Sequence, residues 1–95
     1  MRVGEVIGKV TLSKCNPMVS GGTWLVVVPL DVAAIKGGEK GRDEPIVVYD
    51  EFGAGVGSKI AVAEGGEAAA PFHPDTKPID AYNAAILDTL EFKPL

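Results

Sequence analysis

The chain has 95 residues, 46% of them hydrophobic, with nine basic against thirteen acidic side chains and a formal charge of -4. That length supports one domain over residues 1–95 with a modest core, and a positive mean hydropathy in so small a chain asks for dense packing or for apolar surface covered by partners. Net acidity without a basic block argues against nucleic-acid binding, which needs clustered cations to displace counterions, and no apolar run approaches the roughly 20 residues of a membrane helix.

Cys15 is the sole cysteine, so no intrachain disulfide can form. Arg2, Glu5 and Lys9 interrupt any leader-like apolar run at the start. These features set the expectation of a soluble, cytoplasmic protein.

Residues 1–12 alternate, with Arg2, Gly4, Val6, Gly8, Val10 and Leu12 on one face and Val3, Glu5, Ile7, Lys9 and Thr11 on the other. Period two with β-branched side chains predicts a strand, and its two internal glycines predict a bend. Residues 13–22 form a loop, with Asn16-Pro17 and Gly21-Gly22 as turn signals and Met18 and Val19 as apolar residues inside it. Thr23–Leu30 is a continuous apolar run, read as a strand buried on both faces, with Pro29 at its end or on an edge.

Residues 31–44 read as a long polar connection with a short apolar piece, Val32–Ile35. Residues 45–49 and 59–63 are the third and fourth strands. Between them stands Gly53-Ala54-Gly55-Val56-Gly57. Glycine lacks the Cβ that holds neighbouring backbone away, so this turn predicts a tight path or a close approach by another chain. Residues 65–77 read as irregular, because Pro71 and Pro74 break any helix. Residues 78–82 read as a helix start, with Pro78 in the first turn and Asp80 at the positive end. Residues 84–92 fit a helical stripe and an amphipathic strand about equally. The sum is mainly β: a small, five-stranded antiparallel barrel, partly open, with one short C-terminal helix.

The candidate chemistry is thin. A dinucleotide loop needs G-x-G-x-x-G leading into a helix, and here the spacing is G-x-G-x-G with a β run after it. Gly57-Ser58-Lys59 reverses the end of a phosphate loop. His73 and Cys15 are too few for a zinc site, and nothing orients them as a nucleophile and base. Asp50 and Glu51 are adjacent, so on a strand they point to opposite faces; one is expected in solvent and the other on the amides of the turn. Trp24 and Phe52 can be drawn as stacking platforms for bases, but net acidity favours core or interface packing. No catalytic, metal or cofactor site emerges.

Several segments taken together resemble the vertex proteins of bacterial microcompartment shells, the EutN/CcmL type. They are the opening strand Gly4-Glu5-Val6-Ile7-Gly8-Lys9-Val10, the turn Pro17-Met18-Val19-Ser20-Gly21 and the strand Leu25-Val26-Val27-Val28-Pro29-Leu30. Asp50 with Gly53-Ala54-Gly55-Val56-Gly57 matches the D-x-x-G-A-G-x-G signature, and Pro78-Ile79-Asp80-Ala81 and Ile86-Leu87-Asp88 match the end of the pattern. The resemblance implies a barrel of the oligonucleotide/oligosaccharide-binding type, a homopentamer that caps five-fold vertices beside hexameric facet proteins, and no catalysis or obligate cofactor. It implies a short helix followed by a strand near the C-terminus. On it, Gly53, Ala54, Gly55, Gly57 and Ser58 become candidates for subunit contact near the axis, and Met18, Val19 and Trp24 for subunit or facet contact. Ser58 stands where the family often has Glu, and residues 66–70 lack a family Arg. The alternative is a monomeric barrel of the same type that binds single-stranded nucleic acid or a small ligand.

Overall fold

The computed structural model describes residues 1–10, 22–35, 41–73 and 79–88. In chain order these form β1 (Arg2–Val10), β2 (Thr23–Leu30), α1 (Val32–Ile35), β3 (Ile46–Asp50), β4 (Lys59–Glu64), α2 (Gly66–Ala69), a 3-10 turn (Ala70–Phe72) and β5 (Ala81–Leu87). The strands close into a barrel in the order β1-β2-β3-β5-β4.

The alternation in β1 sets the inside and the outside. Gly4 and Val6 are buried, while Arg2, Ile7 and Lys9 are exposed. β1 pairs along its length with β2, from Val3↔Leu30 to Val10↔Trp24, and with β4 from Arg2↔Val62 to Glu5↔Lys59. The register with β2 shifts between Val6 and Gly8, which leaves Ile7 as an extra residue. That bulge is the bend its glycines predict. At Gly4 the strands cross so closely that a Cβ would collide with Val27 Cγ1.

β2 is buried on both faces only in its second half: Val27 to Leu30 are all buried, whereas Thr23 is exposed. Pro29 lies past the end of the β2–β3 ladder, which stops at Val27↔Ile46, and its carbonyl accepts from Asp43 N at 3.0 Å. No ladder donor is missed there.

Three expectations need correction. The barrel is closed and not partly open, because β4 and β5 complete the ring between β1 and β3. The barrel is not antiparallel throughout, because β3 and β5 run parallel through the single pair Tyr49↔Tyr82. The reason is parity: a closed ring with an odd number of strands cannot alternate direction at every seam. The short helix is also misplaced. Asp80 is a bend, and Ala81 and Tyr82 already belong to β5, where they pair with Glu64 and Ala63 of β4. Pairing and burial of Tyr82 outweigh the helix-start signal. The short helix instead lies between β4 and β5, in residues read as irregular; Pro71 does not prevent this, because it sits in the first turn of the 3-10 segment that follows. Val32–Ile35 within the polar connection is also helical, and Asp31 Oδ1 accepts from Ala34 N at 3.1 Å to cap it.

These pieces divide the core into three. Inside the barrel lie Val6, Leu25, Val27, Val48, Ile60 and Val62, each at 0–1% exposure. Burying each such aliphatic side chain contributes about 1.5–3 kcal/mol. Outside the barrel, α2 and the 3-10 turn cover an aromatic patch of Tyr49, Tyr82, Phe72 and Trp24. On another outer face α1 lays Ala34 against Val28 and Leu30. Ion pairs brace the surface: Arg2 reaches Glu64 at 2.6 Å, and Glu5 takes Arg42 at 2.8 Å and Lys59 at 3.4 Å.

The Gly4 crossing generates a prediction. Gly4→Ala should lower stability by about 1–3 kcal/mol, since the new methyl lands on Val27 inside a filled barrel. Gly8→Ala, whose Cβ comes no closer than 3.9 Å to Val26, should cost much less. Thermal unfolding of the two variants side by side checks this; equal losses contradict it.

Candidate functional site

The glycine-rich turn starts where β3 ends, at Asp50. The Asp50 carboxylate is fully buried. Its Oδ1 accepts from Phe52 N at 3.0 Å and from Asn83 Nδ2 at 2.8 Å. Its Oδ2 accepts from Gly53 N and Ala54 N, both at 2.9 Å. Burial alone pushes this carboxyl up, but the amide of Phe52, the side chain of Asn83 and the amides of Ala54 and Gly53 outweigh it, and the pKa falls below the ordinary aspartate value.

Asn83 comes from β5, one residue beyond the parallel pair, just as Asp50 lies one residue beyond Tyr49. Its Oδ1 accepts from Ala85 N at 3.1 Å, at the irregularity in the β4–β5 register. On the outer side of the same seam Tyr49 stacks on Tyr82 at 6.4 Å, and the Tyr82 hydroxyl donates to Glu51 Oε1 at 3.1 Å. Burial, then the Glu51 carboxylate, push the Tyr82 phenol up. The adjacent acids thus divide as the strand argument predicts: Asp50 inward on the turn amides, Glu51 outward.

The Ala54 methyl turns into the barrel core at 1% exposure. Beyond it the turn is exposed at Gly55, Val56 and Gly57. Gly57 N donates to Val6 O at 2.8 Å, Val6 N to Ser58 O at 2.9 Å and Ser58 N to Gly55 O at 3.1 Å, so the exit is fastened to β1. Gly53 and Gly57 have φ of 77° and 94°, where a side chain is strained. Gly55 has no positive φ, and a Cβ built on it meets nothing within 4 Å among the described residues. Phe52 and Val56 flank the turn at 53% and 67% exposure.

This geometry is unsuited to an anion. The amides of Phe52, Gly53, Ala54, Gly57 and Ser58 are committed to acceptors within the chain, and a carboxylate occupies the concavity. Among the described residues no group of three or more His, Cys, Asp and Glu side chains could hold a metal, and no helix is long and apolar enough to cross a membrane. His73 is exposed and closes the 3-10 turn. Cys15, Met18 and Val19 lie outside the described residues. The Trp24 ring packs edge-on to Tyr49 at 5.2 Å, half-buried within its own chain. Of the candidates in the turn, Gly53, Gly55 and Gly57 are exposed, Ser58 is half-buried, and Ala54 anchors inward.

Asn83 was not singled out by the sequence. Period-two alternation from Ala81 places it inward between apolar neighbours, which marks a polar residue that needs a buried partner. The helix-start signal at residues 78–82 hid that alternation.

A family model described as ethanolamine utilisation protein EutN/carboxysome matches residues 1–88. The chain belongs to the EutN/CcmL family. It is 36% identical over 91 residues to the bacterial microcompartment shell vertex protein GrpN of Rhodospirillum rubrum, covering 96% of this chain and 97% of that one. The GrpN pentameric shell protein structure superposes with a TM-score of 0.78 at 34% identity, over 98% and 100% of the two chains. CcmL of Gloeobacter violaceus gives 0.75 at 27% identity over 97% and 90%.

The depressed Asp50 pKa sets a pH dependence. A carboxylate with a lower pKa folded than unfolded adds stability above the unfolded value of about 3.9, and that stability is lost as pH falls through the folded value. Glu5, lowered first by its bond to Arg42, acts in the same direction but from a more exposed position. Urea unfolding should therefore show stability level near neutrality and falling below about pH 4–5. Asp50→Asn should flatten the fall, and an unchanged slope in that variant contradicts the assignment.

Proposed function

We propose that this chain is a structural shell protein, a homopentamer that closes the five-fold vertices of a bacterial microcompartment in the cytoplasm and meets hexameric facet proteins at its rim. One observation carries the reading within the chain: Gly55 is a glycine that neither its backbone conformation nor its surroundings among the described residues require. Space for a side chain is left open there, between exposed Phe52 and Val56. A neighbouring copy that packs against the turn supplies the reason, since a missing Cβ lets two backbones approach. The vertex protein GrpN, at 36% identity over nearly the full length, supports the same reading.

A closed five-fold ring is heterologous: one patch of each copy meets a different patch on the next. Gly53, Gly55, Gly57 and Ser58 are the proposed contacts from the turn, with Ala54 as its inward anchor and Phe52 and Val56 as apolar flanks. Met18, Val19 and Trp24 are proposed for subunit or facet contact. The chain performs no catalysis in this reading and needs no cofactor. The net charge of -4 fits the absence of a nucleic-acid partner.

Gly55→Val tests the reading. The isolated barrel should keep its far-UV spectrum, with a stability change within about 0.5 kcal/mol, because the site is open surface in one chain. Sedimentation velocity should show the five-copy species lost. A valine variant that sediments like the wild type removes the packing role.

A further inference from the structure

The exposed turn has little of its own to hold it in one shape. Three of its residues are glycines, which lose more backbone freedom on ordering than any other residue. Its exit is fastened to β1 by main-chain hydrogen bonds. Its entry depends on a side chain, because the amides of Phe52, Gly53 and Ala54 all converge on the Asp50 carboxylate. That carboxylate is oriented by Asn83, which lies 33 residues away on β5 and is itself oriented by Ala85 N. A relay therefore runs from the β5 backbone through Asn83 and Asp50 to the entry of the turn, as far as Ala54.

We propose that the Asp50–Asn83 pair is an assembly-positioning device, which holds the turn in the shape that a second copy of this chain binds; the inference rests on the homopentamer proposed above. The barrel has other means of closing the same seam. The stack of Tyr49 on Tyr82, with Phe72 at 5.1 Å from Tyr82, covers the outside, and apolar side chains fill the inside. Loss of the pair therefore falls mainly on the turn. A turn that must be ordered during association binds more weakly than one ordered beforehand.

Two variants test this. Asp50→Asn keeps the size but turns an NH2 group towards donors: if its oxygen serves Gly53 and Ala54, its amide faces Phe52 N–H and Asn83 Nδ2. Adding Asn83→Asp restores the match, because the exchanged carboxylate accepts from Ala85 N and from the new amide, and only the Phe52 bond stays lost. Native mass spectrometry and far-UV circular dichroism are read over a dilution series. The single variant should keep the barrel spectrum while its ring dissociates at a protomer concentration at least about tenfold higher than wild type. The double variant should recover most of that loss.

Dissociation of the single variant at the wild-type concentration overturns the proposal. So does a double variant that assembles no better than the single one, or loss of the barrel spectrum in both, which would make the pair part of the folding core. If the single variant alone unfolds, the double variant decides: assembly near the wild-type concentration supports the pair, and a folded double variant that stays monomeric overturns it. A monomeric wild type is a separate result, which removes the pentamer and not the pairing.

Discussion

A buried carboxylate without a cation on it is costly unless hydrogen bonds replace the water it lost. Among the described residues Asp50 meets that condition with four donors, three from the turn it precedes and one from Asn83. The path of the turn from the end of β3 follows from this one constraint. It also explains why a glycine-dense turn is not an anion site: its amides are already spoken for by a fixed negative charge.

The constraint falls at the weakest part of the barrel. Five strands in a ring must place two neighbours parallel, and that seam is tied by one backbone pair, Tyr49↔Tyr82. The residues next along each strand are Asp50 and Asn83, so side chains take over where the main-chain ladder ends. On the outer face the aromatic patch beneath α2 and the 3-10 turn does the same with apolar area. Inside the barrel the pair sits beside the apolar core, and the exposed turn projects from that polar end.

The four strands with clear period-two or continuous apolar patterns were legible in the sequence, as was the bend in β1 at its glycines. So was the division of labour between Asp50 and Glu51, because adjacent strand residues point opposite ways. The short helices were not, since each has only four residues and owes its place to packing: Ala68 against the aromatic patch, Ala34 against Val28. At the start of β5, Pro78 and Asp80 carry a local helix signal that pairing with β4 overrides. The same helix signal masks the alternation that places Asn83 inward. The parallel seam follows from parity only once the five strands close into a ring, and the sequence pattern does not carry that closure.

Family membership and the shape of the turn meet in one claim, that copies of this chain associate through a turn which each copy presents already folded. Gly55, open within the chain, and the exposed Phe52 and Val56 are what a lone barrel leaves unexplained. The mass of the wild-type particle under native conditions tests the claim most directly. Five copies per particle, stable on moderate dilution, is the result this account predicts; a monomer at every concentration would contradict it.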